Sequence, residues 1–153
     1  MSNAGGIPVD QLPVILIVED NDSHALLIIR ALEQHARKCR TKHVWDGEEA
    51  LDYLLHKGEY TNIELSPAPS LVLLDLRLPR MDGLEVLRTV KNSGDLMTIP
   101  VVVLTSSLAE PDIVNAYLLH ANSYLSKPLD YDEFRNQIMD LATYWLHWNV
   151  FPL

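Results

Sequence analysis

The chain is short of cysteine and of basic residues, and each shortage argues against a class of protein. Cys39 is the only cysteine among 153 residues, so neither a disulfide framework nor a cysteine zinc site is possible, and a reducing, cytoplasmic location is expected. Lys and Arg number 12 against 21 Asp and Glu, which gives a formal net charge of -9. Because nucleic-acid-binding domains concentrate Lys and Arg, no direct contact with nucleic acid is expected.

Long apolar runs and a glycine-rich phosphate loop are also missing. The apolar run at residues 14–18 is far too short to span a bilayer, and no secretory signal peptide is visible, so no membrane association is expected. Residues 19–22, EDND, follow this run without a glycine and with negative charge. A dinucleotide or flavin site would need a phosphate-cradling loop here, so that class of enzyme is disfavoured.

The rest of the composition is that of an ordinary globular domain. Hydrophobic residues make up 48% of the chain and charged residues 22%, so extensive disorder is not expected. The length suggests one domain with a sizeable core. Residues 1–11 are predicted to be a disordered tail, of which residues 1–4 resemble a cloning remnant. Residues 12–147 are predicted to form the domain, and residues 148–153 an aromatic C-terminal extension.

Apolar runs and helical periodicities alternate five times along the chain. Strands are predicted at residues 13–18, 38–45, 71–74, 101–104 and 122–125. Helices are predicted after Asn21 or Asp22, from residue 46 or 47, over residues 83–92 and 110–119, and from near Asp130. Residues 58–70 contain two prolines and no periodicity, which indicates a surface loop. Strict alternation of this kind predicts an α/β fold, a doubly wound parallel sheet with helices on both faces.

Polar residues stand where the predicted strands end. Glu19 and Asp20 follow the first strand, Asp75 the third, Thr105 the fourth and Lys127 the fifth. In such sheets the carboxyl ends of the strands border the ligand crevice. Three carboxylates there would repel one another unless a cation holds them, and all-oxygen ligands favour Mg²⁺. Asp75 is then the candidate nucleophile for a phosphoryl group, although taken alone it could be a helix cap or an ion-pair partner.

Four motifs in this order resemble those of the response-regulator receiver family. They are VED at residues 18–20, LLDLRLPRMDG at 73–83, TSS at 105–107, and Tyr124 with Lys127-Pro128. The resemblance covers residues 12–147, and it implies a flavodoxin-like receiver fold with five parallel strands in the order 2-1-3-4-5. It also implies a protein of a two-component system that takes a phosphoryl group from a sensor histidine kinase.

The family resemblance implies a role for each residue of the metal site. Asp75 would be the phosphoacceptor, attacking the phosphohistidine of the kinase. Mg²⁺ would be held by Asp20, by Asp75 and by the backbone carbonyl of Arg77, and Glu19 would act through a metal-bound water. Phosphohydrolases with an aspartate nucleophile need a second acid two residues later, and Arg77 stands there instead, so no enzymatic activity is expected beyond the chain's own phosphoryl transfer and dephosphorylation.

The resemblance further implies residues that contact the phosphoryl group and respond to it. Thr105 and Lys127 would contact the phosphoryl oxygens, and Thr105 and Tyr124 would form the switch. A structural alternative for Tyr124 is the rim of the sheet with its hydroxyl in water. Pro128 would follow a cis peptide bond. His120 occupies a position where a glycine is expected, so a left-handed backbone is predicted there.

Narrower features resemble the stand-alone regulators that are paired with bacterial phytochromes. They are the long insert at residues 57–70, the stretch at 105–128, and a last helix that runs into YWLHWNVFPL. The receiver motifs extend almost to the last residue, so output is expected through a partner protein. The alternatives are a phosphorelay intermediate that passes its phosphoryl group onward, and an adaptor that is not phosphorylated.

The aromatic residues at the end of the chain are the candidate protein-contact surface. Tyr144, Trp145, Trp148 and Phe151 exceed what the end of one surface helix normally exposes. They could pack against their own domain or cross to a second subunit. A homodimer through the last helix and the tail is favoured, and the adaptor alternative would act through the same tail. The six histidines show no metal-ligand spacing, so surface or packing roles are expected for them.

Overall fold

The computed structural model describes residues 6–152, and five parallel strands form its centre. They are β1 (Val14–Val18), β2 (Arg40–Val44), β3 (Leu71–Leu74), β4 (Val101–Thr105) and β5 (Ser123–Ser126). Their order across the sheet is β2-β1-β3-β4-β5, and every neighbouring pair is parallel. The predicted fold class and strand order are therefore confirmed.

Four helices connect the strands and a fifth follows the last strand, and side chains cap most of them. They are α1 (Asp22–Gln34), α2 (Gly47–Leu54), α3 (Gly83–Asn92), α4 (Glu110–Leu118) and α5 (Tyr131–Ala142). The side chains of Asn21, Asp46, Asp82 and Asp130 accept a backbone N–H from the first turn of α1, α2, α3 and α5. Caps of this kind stabilise a helix by about 1 kcal/mol each, which explains why these helices begin where they do. No helix within residues 6–152 is both long and apolar enough to cross a bilayer.

The sheet is buried on both faces, because its strands alternate their side chains between two apolar layers. Leu16 and Val18 of β1 pack with residues of α2 and α3, whereas Ile15 and Ile17 pack with α1 and α5. All residues of β1, β3 and β4 are buried. Helices therefore cover both faces of the sheet. Polar side chains are then expected at the carboxyl edge of the sheet, where the strands end.

The backbone confirms one sequence prediction and corrects another. His120 has a φ of 70°, the left-handed conformation predicted for it. The predicted cis peptide bond before Pro128 is wrong, since the structure contains no cis peptide bond in the part that it describes. The trans form is favoured intrinsically by about 0.5–1 kcal/mol. With the trans bond, Lys127 N–H still donates to the Thr105 carbonyl at 2.8 Å and the side chain reaches the site.

The N-terminal prediction is corrected for its last residues. Residues 1–5 of the predicted disordered tail lie outside the described part of the chain. Val9–Gln11, however, forms a 3-10 turn instead of a disordered stretch. The reason is Arg40, whose guanidinium donates to the carbonyls of Asp10 at 3.0 Å and Leu12 at 2.8 Å and so ties this turn to the start of β2.

Candidate functional site

The carboxyl ends of four strands carry the predicted site residues and bring them together. Glu19 follows β1, Asp75 follows β3, Thr105 is the last residue of β4, and Lys127 directly follows β5. All four are buried polar residues, with 0–7% of their surface exposed. Asp20 lies beside Glu19 and is exposed. These five residues are called the strand-end site below.

Three carboxylates of the strand-end site have the spacing of a metal centre. One oxygen each from Glu19, Asp20 and Asp75 lies within 4.8 Å of the other two. Oxygen ligands from a few carboxylates, with one side open to water, suit a hard divalent cation such as Mg²⁺. The residues therefore fit the predicted metal. The Arg77 carbonyl as a further ligand stays a prediction, although the Arg77 backbone N–H donates to Asp75 Oδ1 at 3.1 Å.

Lys127 supplies the positive charge that the carboxylates need in a buried place. Its ammonium donates to Asp75 Oδ2 at 2.9 Å and to Glu19 Oε1, and it also donates to His24 Nδ1 at 3.1 Å. The Lys127 side chain is only 4% exposed. Burying a charge without partners would be costly, so the ion pairs explain how this lysine is accommodated.

The two buried acids titrate in opposite directions. Burial raises the pKa of Glu19 to about 7, although the hydrogen bond and charge of Lys127 oppose this rise. Burial also works against ionisation of Asp75, but the charge and hydrogen bond of Lys127, with the Arg77 N–H and the Thr105 hydroxyl, bring its pKa below the usual value. Asp75 is therefore ionised at neutral pH, as a nucleophile must be, while Glu19 is close to its midpoint.

The predicted switch residues are joined through Ser107. Thr105 is fully buried, and its Oγ1 accepts the Ser107 N–H at 3.4 Å. The Tyr124 hydroxyl donates to the Ser107 carbonyl at 2.9 Å, so it has a partner within the protein. The Ser107 hydroxyl in turn donates to Asp112, which also pairs with the Arg77 guanidinium. One residue thus contacts both members of the predicted switch.

His24 is the site residue that sequence reasoning missed. The sequence predicts a surface or packing role for it, yet its Nδ1 lies against the Lys127 ammonium and 4.0 Å from Glu19 Oε1. Burial and the nearby Lys127 charge lower the pKa of its imidazole. Its position in the first turn of α1, five residues after Glu19, was the available signal, because that turn starts at the carboxyl edge of the sheet.

The predicted aromatic surface at the end of the chain divides into two halves. A π-helical turn at Thr143–Trp148 follows α5. Trp145 and Phe151 stack with ring centroids 6.2 Å apart and pack against the apolar layer of α1 and α5. Tyr144 and Trp148 remain 54% and 69% exposed. Two of the four residues therefore pack on their own domain, and the other two are free to contact a second chain.

Comparisons with known proteins identify the family of the chain. The family model for the response regulator receiver domain matches residues 15–139. FilR2 of Methanothrix harundinacea, a probable methanogenesis regulatory protein, is 47% identical over 140 residues, covering 91% of this chain and 87% of the relative. The response regulator Rcp1 of Synechocystis sp. is 39% identical over 139 residues, covering 91% of this chain and 92% of the relative.

Solved structures of such proteins superimpose on this fold. The Mn²⁺-bound form of Rcp1 has a TM-score of 0.87 at 38% identity, covering 92% of this chain and 99% of that one. The phosphorylated cyanobacterial phytochrome response regulator RcpA has a TM-score of 0.88 at 38% identity, covering 93% of this chain and 99% of that one. With the strand order, the strand-end site and these matches in agreement, the chain belongs to the response regulator receiver domain family.

Proposed function

We propose that this protein is a single-domain response regulator whose Asp75 accepts a phosphoryl group from a histidine kinase and which signals through a partner protein. The observation that carries this proposal is the buried Asp75 carboxylate, held ionised by Lys127 and flanked by two further acids. A structural ion pair would need one carboxylate for one lysine. The additional buried Glu19 and the exposed Asp20 go beyond such a pair, and they suit a metal-assisted phosphoryl transfer.

In the proposed reaction an Asp75 carboxylate oxygen attacks the phosphorus of phosphohistidine. A P–O bond forms, the P–N bond breaks, and its electron pair returns to the imidazole nitrogen. Lys127 and the Thr105 hydroxyl would contact phosphoryl oxygens and stabilise their charge. Mg²⁺, held by Asp20, Asp75, the Arg77 carbonyl and, through water, Glu19, would neutralise further charge. The chain would catalyse this transfer and its own dephosphorylation only.

The kinase in this proposal is a bacterial phytochrome. The support is the phytochrome response regulator RcpA, which resembles this chain over nearly its whole length. FilR2 carries a different regulatory name and is 47% identical, against 38% for RcpA, so the pairing with a phytochrome is to be tested directly. Phosphotransfer from a purified phytochrome kinase should be faster than from an unrelated histidine kinase. Equal or slower transfer from the phytochrome would contradict this pairing.

Intact-mass spectrometry after incubation with acetyl phosphate and Mg²⁺ tests the central step. The wild type should gain one phosphoryl group, and Asp75→Asn should gain none. Asp95→Asn makes the same chemical change at an exposed carboxylate and should be phosphorylated like the wild type. If the wild type gained nothing with or without Mg²⁺, the adaptor alternative would replace this proposal. Transfer of the phosphoryl group from Asp75 to a histidine phosphotransfer domain would indicate a relay intermediate.

A further inference from the structure

The Lys127 ammonium has a third hydrogen-bond partner besides the two carboxylates of its ion pairs. An ammonium has three N–H donors and no acceptor. Among the described residues, Lys127 meets three acceptors, namely Asp75 Oδ2 at 2.9 Å, Glu19 Oε1, and the Nδ1 of His24 at 3.1 Å. Each donor thus has its own partner. The third partner is a neutral ring that belongs to none of the predicted motifs.

The His24 ring is held in place by packing as well as by this hydrogen bond. It meets Phe134 of α5 edge-on, with ring centroids 5.6 Å apart and an interplanar angle of 80°. The side chain is 29% exposed, so the ring also reaches solvent. Because an ammonium can only donate, the Nδ1 that faces it must carry a lone pair, and the ring proton must reside on Nε2. The contact therefore specifies one tautomer.

Phosphorylation of Asp75 would change the carboxylate partners of Lys127 but not the chemistry of the His24 ring. Asp75 would supply the oxygen of the new P–O bond, and Glu19 would belong to the metal site. Both carboxylate partners of Lys127 would then interact with other groups. A neutral acceptor outside the reaction is the one partner that is available before and after transfer. It can hold the ammonium at the point where the phosphoryl oxygens arrive.

We propose that His24 is a positioning residue for phosphoryl transfer, which holds the Lys127 ammonium through Nδ1 and thereby aims it at the phosphoryl group of Asp75. This inference rests on the proposed function and adds a residue to its machinery. His24 itself need not touch the phosphoryl group. A purely structural role, in which the ring only fills space against Phe134, makes a different prediction for two substitutions.

The two substitutions separate the acceptor from the ring. His24→Asn loses the ring but offers an amide oxygen at the position of Nδ1. His24→Phe keeps an aromatic ring on Phe134 but has no acceptor. With acetyl phosphate and Mg²⁺, phosphorylation of His24→Phe should be about tenfold slower than that of the wild type, and His24→Asn should lie within about twofold of it. Urea denaturation should show both variants folded. If His24→Phe is as fast as the wild type, or His24→Asn is as slow as His24→Phe, the positioning role is wrong.

Nitrogen-15 spectra of the histidine rings test the contact without any phosphorylation. At pH 8 His24 should show the Nε2–H tautomer, with an unprotonated Nδ1 whose shift changes in Lys127→Met. A proton on Nδ1, or a shift that does not respond to Lys127→Met, would overturn the contact. If the wild type takes up no phosphoryl group, the proposed function and the positioning role fail together. The tautomer then still shows whether the Lys127–His24 contact is present.

Discussion

The strand-end site and the C-terminal segment, residues 143–152, both carry side chains that the fold alone does not require, but the chain packs them in opposite ways. In the strand-end site Glu19, Asp75 and Lys127 are nearly inaccessible, and each has charged partners from different elements. In the C-terminal segment two aromatic rings pack on the domain, whereas Tyr144 and Trp148 keep more than half of their surface in solvent.

This difference shows which region is complete within one chain. A buried cluster of charges is costly to form, so it persists only when all its partners are present. Exposed aromatic rings cost little to leave in water, and they contribute energy only when a second surface covers them. The strand-end site should therefore be sensitive to any single change in the isolated chain, while the exposed half of the C-terminal segment should be silent until the chain associates.

Removal of the Lys127 charge should have the largest effect on the free energy of unfolding. Lys127→Met keeps the length of the side chain but leaves Glu19 and Asp75 without their cation. We expect a loss of about 3 kcal/mol at pH 8 without Mg²⁺, measured by urea denaturation. The loss should shrink at pH 6, because a proton on Glu19 then removes the repulsion. Arg80→Ala breaks ion pairs of an exposed side chain and serves as the control.

The Arg80 control should leave the urea midpoint essentially unchanged, because exposed ion pairs are screened by water and salt. If Lys127→Met were as stable as the wild type at pH 8, the strand-end site would not be sensitive to single changes as we expect. The same would hold if its stability loss did not depend on pH.

Substitution of Gly83 should have the next largest effect. A Cβ at Gly83 would lie 2.4 Å from the Asp75 carbonyl oxygen and 2.7 Å from Leu76 Cα, so the backbone that carries the phosphoacceptor would have to move. Gly83→Ala should lower the free energy of unfolding by about 2 kcal/mol and slow phosphorylation of Asp75. Gly94→Ala, where a Cβ would meet nothing within 4 Å, is the matched control and should be neutral. Equal behaviour of the two variants in a thermal melt would contradict this prediction.

Binding of Mg²⁺ should weaken as the pH falls. In the metal-free protein the pKa of Glu19 is raised from 4.5 to about 7 by burial, so between these values the folded chain binds more protons than the unfolded chain. The contribution of Glu19 to stability is therefore full below pH 4.5 and declines as the pH rises to about 7. A metal must displace this proton, so the affinity for Mg²⁺ should be about tenfold lower at pH 6 than at pH 8.

Isothermal titration at the two pH values measures this difference, and Glu19→Gln should remove most of it because its amide does not titrate. A wild-type affinity that is the same at pH 6 and pH 8 would show that Glu19 carries no displaceable proton. The fluorescence of Trp45 offers a second way to follow Mg²⁺ binding. Its indole N–H donates to Asp22 at 2.6 Å, and Asp22 lies two residues after the predicted ligand Asp20.

Sequence patterns predicted the sheet and the position of most site residues, because both depend on local signals. A buried apolar run followed by one acid identified Asp75, and the carboxyl ends of all strands lie at one edge of a parallel sheet. The same pattern places His24 near that edge, in the first turn of α1, but it does not indicate the contact with Lys127. Its contact joins the first turn of α1 to a residue 103 positions later, and nothing in the local pattern specifies which side chain meets Lys127.

The other discrepancies also concern tertiary contacts. The Lys127–Pro128 isomer depends on an intrinsic preference of under about 1 kcal/mol, so the surrounding structure decides it. The 3-10 turn at Val9–Gln11 depends on Arg40, which the linear pattern places in another element. In the C-terminal segment the helix changes to π-helical winding at Thr143, so a period of 3.6 residues no longer predicts which aromatic rings face the domain.

The smallest effect on the isolated chain is expected for Trp148, and it tests the homodimer that the sequence predicts. Trp148→Ala should change the free energy of unfolding of the monomer by less than about 0.5 kcal/mol, because the ring is 69% exposed. The same substitution should shift a dimer of the wild type toward monomer in sedimentation velocity. Phe151→Ala removes a ring that stacks on Trp145 within the chain, and it should cost about 1 kcal/mol.

Trp148→Ala should therefore affect association more than Phe151→Ala does, and Phe151→Ala should affect the free energy of unfolding more. If the exposed rings form the interface, Trp148→Ala is stable and monomeric, whereas Phe151→Ala is less stable and still associates. If the wild type sediments as a monomer at all concentrations, the exposed rings have no second copy to contact, and the C-terminal segment would then be a surface for the output partner. If both variants associate like the wild type, the dimer uses another face of the domain and the division of this segment into two halves has no functional meaning.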